Sequence, residues 1–250
     1  MTKPSITAIA LGALVASGLA AGDTAARAET RDVIELFTSQ GCSSCPPADR
    51  LLGEYADRDG VLALSFNTEI WDWLGWKDTL ARPENTDRHR AYARALGGPV
   101  YTPEAVINGR VHVTGSSRGQ IEAALQKHTG QLSVPIGLTT SGMAVTVSVG
   151  AAPAGETRHA TLWLVMYDRS ATVAIERGEN TGRTITYSNV VRKLRPIEMW
   201  KGEAMEVDLS KSEIANAKAE RCAVLLQAEL EGGLPGPILG AATLTMDAGI

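Results

Sequence analysis

Two cysteines separated by two serines, Cys42 and Cys45, are the residues of this 250-residue chain best suited to chemistry. Pro46 and Pro47 follow at once, and they fit the first turn of a helix because their missing N–H groups need no partner there. A thiol at a helix N-terminus meets free backbone N–H groups and the positive end of the helix dipole, which lower its pKa. The spacing therefore predicts a redox-active disulfide, with Cys42 attacking and Cys45 resolving.

Other uses of the two thiols stay open. A structural zinc site needs four ligands, and no second pair with this spacing follows. Two thiolates also suit Cu(I), for which His112 is the nearest candidate third ligand. We expect His89, His128 and His159 to be surface residues, and Cys222 to be a buried, inert strand residue. A disulfide that closed so short a loop would stabilise the fold little, and we expect neither a bound cofactor nor a resident metal.

The first 28 residues have the pattern of a secretory signal peptide. Lys3 supplies a positive start, residues 6–21 are apolar, and Ala26-Arg27-Ala28 is a typical cleavage site. The apolar run is short for a spanning helix, and no later stretch is long enough, so we expect no membrane span in the mature chain. We therefore predict a periplasmic or secreted protein, cleaved near Ala28, in a compartment where disulfides persist.

Charge and composition narrow the choice of partners. The chain has 24 Lys and Arg against 28 Asp and Glu, a formal net charge of −4, and it contains no basic run. This balance argues against nucleic acid as a partner. The two cysteines instead predict that the partner is another protein, which carries a thiol or a disulfide and serves as substrate or redox partner. The sequence gives no indication of the oligomeric state.

The mature chain changes character near residues 130–131. Before this point, strand and helix patterns alternate and Asn108-Gly109 is a strong hairpin signal. Two strands, an irregular or helical insertion and the hairpin are predicted at residues 33–37, 61–66, 71–97 and 104–114. From Leu132 onward, short alternating runs recur between turn residues, which is typical of a β-sandwich. We predict three parts: a signal peptide (1–28), an α/β domain (29–130) and a β-sandwich domain (131–250).

Five segments carry a more specific resemblance: ELFTSQGCSSCPPAD, WDWLGWKD, YTPEAVING, GENTGRTITYSNVVR and GPILGAA. Together they resemble a secreted bacterial family of thioredoxin-like proteins, domain of unknown function 1223, over essentially the whole mature chain. The resemblance implies a thioredoxin-like domain with a helical insertion, followed by a β-sandwich domain. It also implies that Pro103, in the cis form, faces the cysteines and that Thr102 pairs with an extended substrate. Asn67 and Glu69 replace the histidine and aspartate expected in this family.

Glu35 and two tryptophans complete the candidate site. Glu35 shares one face of its predicted strand with Val33 and Phe37, which favours burial. The resemblance to thioredoxins implies that a buried carboxyl at this position relays a proton to and from the resolving cysteine, and burial would raise its pKa toward neutrality. The alternative is an exposed acid on an alternating strand. Trp71 and Trp76 either pack within the insertion or form an aromatic wall that receives apolar substrate side chains.

These features favour an exported thiol–disulfide oxidoreductase. The main alternative uses the same thiols in an extracytoplasmic Cu(I) metallochaperone or a binding module without catalysis. A third possibility is a β-sandwich adhesion or envelope protein that retains a vestigial redox domain.

Overall fold

The computed structural model describes residues 30–154, 159–215 and 219–245. The predicted signal peptide and its cleavage site lie outside these ranges. The strands are β1 (Asp32–Thr38), β2 (Val61–Asn67), β3 (Glu104–Ile107), β4 (Val111–Thr114), β5 (Ile136–Ser141), β6 (Ala144–Val149), β7 (Ala160–Ala174), β8 (Thr184–Trp200), β9 (Met205–Ser210), β10 (Arg221–Leu230) and β11 (Leu234–Thr245). The helices are α1 (Pro46–Ala56), α2 (Pro83–Leu96), α3 (Arg118–His128) and α4 (Lys211–Ala215), with short 3₁₀ turns at Asp72–Leu74 and Glu231–Gly233. Within the described ranges, none of the helices combines the length and the apolar character needed to cross a bilayer.

A mixed sheet of eight strands organises the protein, in the order β11-β10-β7-β8-β2-β1-β3-β4. β2 runs parallel to both β1 and β8, and the other neighbouring pairs are antiparallel. A second sheet, β5-β6-β9, packs its apolar face against β7 and β10. Leu162, Leu164 and Trp200 are fully buried in the core between the two sheets.

The predicted fold class is wrong. The protein is mostly β, and Ser65 of β2 pairs with Val190 of β8, so a single sheet continues from the first half of the chain into the second. This arrangement replaces the expected thioredoxin-like α/β domain with a helical insertion, followed by a β-sandwich. The physical reason is the edge of β2, whose backbone groups need partners and obtain them from a strand about 120 residues away. A domain boundary near residues 130–131 stays a prediction.

Several local predictions are confirmed. Pro46 and Pro47 begin α1, with Cys45 as the N-cap residue. The hairpin between β3 and β4 turns at Asn108 and Gly109, whose φ angles of 51° and 64° are those that such a tight turn requires. The helix expected within residues 71–97 is α2, which ends before Gly97.

The alternation of side chains along β1 divides the surroundings of the site into two layers. Ile34 and Leu36 face α1 and α3, whereas Val33 and Phe37 face Tyr92 of α2. All seven residues of β1 are buried because helices cover both faces of the strand. The cysteine loop therefore connects the end of β1, inside the sheet, to the N-terminus of α1.

Candidate functional site

Cys42 and Cys45 form a disulfide, with their Cα atoms 5.4 Å apart. Cys45 is fully buried at the N-terminus of α1, and Cys42 is 5% exposed. Ser43 and Ser44, which lie between them, are exposed. The turn holds its shape through backbone bonds from Cys42 N to Ser39 O (3.1 Å) and from Cys45 N to Cys42 O (3.2 Å). An incoming sulfur would thus reach Cys42 more easily than Cys45.

The segment before β3 lies beside Cys42. The Sγ atom of Cys42 is 3.7 Å from the carbonyl oxygen of Thr102, and the Thr102–Pro103 bond is cis. The indole Nε1 of Trp71 donates a 2.7 Å hydrogen bond to Oγ1 of Thr102. The structure therefore brings five of the predicted site residues together, namely Cys42, Cys45, Thr102, Pro103 and Trp71.

The loop that leads from β1 to Cys42 is held from two sides. Trp76 Nε1 donates to Gln40 Oε1 (2.8 Å), and Asn180 Nδ2 donates to the carbonyl oxygens of Gln40 (2.9 Å) and Cys42 (2.8 Å). Gly41 lies so close to Trp71 that a Cβ atom there would be 3.0 Å from the Cβ of the tryptophan. The tryptophans thus contact the cysteine loop itself.

Asn180 is a site residue that the sequence analysis missed. It belongs to the connection between β7 and β8, where the glycines of GENTG indicate only a turn. Neighbouring Glu179 accepts a hydrogen bond from the backbone N–H of Ser43 (3.2 Å). The second half of the chain therefore supplies part of the immediate surroundings of the disulfide.

A second missed residue, Asp49, is a buried acid in the first turns of α1. Its backbone N–H donates to the carbonyl oxygen of Cys45 (3.1 Å), so it lies one helical turn beyond the resolving cysteine. Thr38 Oγ1 donates to Asp49 Oδ1 (2.7 Å), whereas Oδ2 is buried without a partner in the described structure. Burial raises the pKa of Asp49 from 3.8 to about 7; the Thr38 bond opposes this effect, and the nearby Asp78 adds to it. Asp49 can therefore take up or release a proton near neutral pH.

Asp78 and Tyr187 extend this polar cluster. Asp78 accepts hydrogen bonds from the backbone N–H of Gln40 (2.8 Å) and from Asn67 Nδ2 (3.1 Å). Burial raises the pKa of Asp78, and these bonds oppose the rise. Burial, followed by the charges of Asp49 and Asp78, raises the pKa of Tyr187 above its usual range, and its hydroxyl is buried without a described partner. Asn67, at the position where the family histidine is expected, thus supports an acid that holds the cysteine loop.

Glu35 is fully buried, as its position on β1 predicted. It makes a two-point ion pair with Arg88, from Nε to Oε1 (2.6 Å) and from Nη2 to Oε2 (3.1 Å), and it also accepts a hydrogen bond from Tyr92. Gln227 of β10 completes the group by accepting from Arg88 Nη2 (2.9 Å). These contacts lie on the α2 side of β1, and a role for Glu35 in proton transfer stays a prediction.

The prediction that His89 is a surface residue is wrong. His89 is fully buried, stacks on Phe37 with ring centroids 4.4 Å apart, and places Nε2 2.6 Å from Glu104 Oε2. Glu104 follows Pro103 directly, and its other oxygen lies 2.9 Å from His112 Nδ1. The charged side chains around His89 in α2 suggested exposure, but the polar partner on β3 makes burial possible. Cys222 is buried, as expected.

Metal binding is the other chemistry that the two thiols could support. Across the described ranges, no group of three or more His, Cys, Asp or Glu side chains has an arrangement that could hold a metal ion. His112, the candidate third ligand, contacts Glu104 and Tyr101.

Comparison with known proteins confirms the family resemblance. The model of a family described as "Protein of unknown function (DUF1223)" matches residues 33–227. A crystal structure of an Agrobacterium tumefaciens protein is similar with a TM-score of 0.76 and 38% sequence identity, over 87% of this chain and 95% of that one. HBP35 of Porphyromonas gingivalis shares the fold alone, with a TM-score of 0.59 and 12% identity over 88% of this chain and 76% of its own. No curated protein matches the chain.

Proposed function

We propose that this chain, which belongs to the DUF1223 family, is a thiol–disulfide oxidoreductase that acts through Cys42 and Cys45. The observation that carries the proposal is the position of the disulfide. Cys45 is the N-cap residue of α1, and Cys42, the more exposed of the two at 5%, lies beside the Thr102–Pro103 segment. The N-terminus of α1 favours negative charge, so it stabilises a thiolate at this pair.

The exchange balances without a cofactor. In the reduced protein, the Cys42 thiolate attacks one sulfur of a substrate disulfide; the substrate S–S bond breaks, and one substrate thiolate leaves. Cys45 then loses its proton and attacks Cys42 Sγ, which releases the second substrate thiolate. The two protein thiols are oxidised by two electrons, and the substrate gains two thiols. A substrate dithiol drives the same steps in reverse.

Asp49 and Glu35 are the two candidates for the proton that Cys45 loses. The contacts favour Asp49, because it lies one turn from Cys45, has a free buried oxygen and has a pKa of about 7. Glu35 has both oxygens engaged by Arg88 and Tyr92. Asp49→Asn is expected to slow closure of the disulfide at neutral pH at least tenfold. A positioned general base usually accelerates a reaction by a factor of roughly 10²–10⁴.

The substrate is proposed to be a protein segment that lies along residues 101–103. Trp71 holds the Thr102 side chain, which leaves the Thr102 backbone beside Cys42 for an extended chain to pair with. Trp73, next to Trp71 and 73% exposed, extends the aromatic surface. Export to the periplasm or beyond, which residues 1–28 suggest, would place such substrates in an oxidising compartment.

Cu(I) binding by the same thiols is the second candidate, and none of the described contacts favours it. His112 is engaged by Glu104 and Tyr101, so it would have to leave both in order to serve as a third ligand. A disulfide-exchange function needs no such rearrangement.

Equilibration with glutathione buffers of graded redox potential tests the proposal. Mass spectrometry after alkylation should show a two-electron transition between dithiol and disulfide at Cys42 and Cys45. Cys222→Ala, which removes a buried cysteine, is the matched control and should keep the same potential. A pair that stays reduced in every buffer, or that gives only separate glutathione adducts on each cysteine, would contradict the proposal.

A further inference from the structure

A cavity of about 650 Å³ lies between α2 and the large sheet, and none of its lining residues belongs to the cysteine loop. Its walls are mainly apolar, with Ala91 from α2, Trp163 from β7, Leu194 and Pro196 from β8, and Leu234 from β11. Small-molecule sites usually have volumes of roughly 300–1,000 Å³, apolar walls and a few well-placed polar groups. The cavity has the size and the lining of such a site.

A buried guanidinium supplies the polar group. The side chain of Arg88 is 6% exposed and lines the cavity. Its Nε and Nη2 atoms donate to Glu35, Tyr92 and Gln227, whereas Nη1 donates to no atom of the described residues. Because Arg88 lines the cavity, this unpaired donor is the one available to a molecule bound there. A bound molecule with an acceptor atom could therefore form a hydrogen bond with Nη1.

The charges around the cavity indicate what kind of acceptor would fit. The charge of Arg88 is already matched by the buried carboxylate of Glu35. The exposed charged residues of the lining are three acids and one base, namely Glu84, Asp87, Glu229 and Arg94. The surroundings are therefore net negative, which disfavours a carboxylate or phosphate ligand. A neutral acceptor meets no such repulsion.

We propose that this cavity binds a neutral, largely apolar small molecule whose carbonyl oxygen accepts a hydrogen bond from Arg88 Nη1. The apolar part of the molecule packs against the indole of Trp163, whose ring centroid is 6.0 Å from the guanidinium carbon of Arg88. This site is independent of the proposed disulfide exchange.

Three matched naphthalene probes test the proposal on the intact protein by NMR titration. 2-Acetylnaphthalene has the neutral carbonyl, 2-ethylnaphthalene lacks an acceptor, and 2-naphthoate replaces the carbonyl with an anion. The ketone should bind roughly tenfold more tightly than the ethyl compound, because only the ketone can accept a hydrogen bond from the charged guanidinium of Arg88. The naphthoate should bind more weakly than the ketone. Equal affinity for all three probes, a preference for naphthoate, or no binding of the ketone would overturn the proposal.

Two variants on α2 locate the binding. Ala91→Trp fills the cavity and leaves the Arg88 ion pair in place, and it should abolish ketone binding. Ala93→Trp introduces the same side chain on the same helix at a half-buried position outside the lining, and it should bind the ketone like the unaltered protein. Undiminished binding by a folded Ala91→Trp protein would contradict the proposal. If the Ala91→Trp variant does not fold, the relative affinities of the three probes for the unaltered protein still test the proposal.

Discussion

Replacing the buried acid of α1, Asp49→Asn, should change how the stability of the protein depends on pH. Burial raises the pKa of Asp49 from 3.8 to about 7 in the folded protein. Between these two values the folded state binds more protons than the unfolded state, so the free energy of unfolding falls as the pH rises. The fall begins near pH 4 and is complete once the pH has passed about 7.

The magnitude follows from the same pKa. One unit of pKa difference between the folded and the unfolded state corresponds to about 1.4 kcal/mol, so ionising Asp49 in the folded protein costs at most about 4 kcal/mol. Asparagine keeps an oxygen that can accept the Thr38 hydroxyl and carries no charge. The difference in unfolding free energy between Asp49→Asn and the unaltered protein should therefore move by about 4 kcal/mol in favour of the variant between pH 4 and pH 8.

Urea unfolding of the disulfide-bonded proteins, followed by circular dichroism at pH 4, 6 and 8, measures this difference. Asp59→Asn removes an exposed carboxyl just after the same helix and provides the matched control. If the Asp49→Asn difference did not change with pH beyond that of the control, the carboxyl would not be a buried group that titrates near neutrality, and its proposed proton-transfer role would lose its basis.

Three further substitutions test the contacts around the cysteine loop and β1. Asn180→Ala removes two hydrogen bonds to carbonyl oxygens of the loop and should lower the unfolding free energy in urea by about 1–3 kcal/mol; an unchanged value would show that the loop does not need this anchor. Trp71→Phe keeps most of the ring but loses the bond to Thr102, so exchange with a peptide disulfide should slow while exchange with glutathione does not; equal slowing of both would argue against a substrate-positioning role. Glu35→Gln leaves Arg88 without its counter-charge and should destabilise the fold by about 3–5 kcal/mol, with the exchange rate per folded molecule unchanged; a slower rate would assign the proton to Glu35.

Local elements were predictable because their signals are local. The prolines after Cys45 indicate the start of α1, and Asn108-Gly109 indicates a hairpin, since each residue type matches a backbone geometry that few others tolerate. Burial of Glu35 also followed from alternation along one strand. These predictions depend on neighbours within a few residues in the sequence.

The pairing of strands across the chain was not predictable in this way. Six of the seven residues of β2 are buried and most of them are apolar, so its pattern shows a buried strand without identifying its neighbours. Its pairing with β8 at Ser65 and Val190 overturned the expected fold class. Asn180 was missed for the same reason, because its partners Gln40 and Cys42 lie about 140 residues earlier in the chain. Asp49 lies within the quoted cysteine segment, and its position one turn after Cys45 was the signal that could have identified it.

Trapping of the exchange intermediate tests the central claim most directly. Reduced Cys45→Ser protein, mixed with a peptide disulfide, should accumulate one covalent peptide adduct on Cys42, visible by mass spectrometry and released by dithiothreitol. Under the same conditions the unaltered reduced protein should release both peptide thiols and form the Cys42–Cys45 disulfide, and Cys42→Ser should react far more slowly because Cys45 is fully buried. If Cys45→Ser formed this adduct no faster than free glutathione does, the pair would not be an exchange site and the proposed function would be wrong.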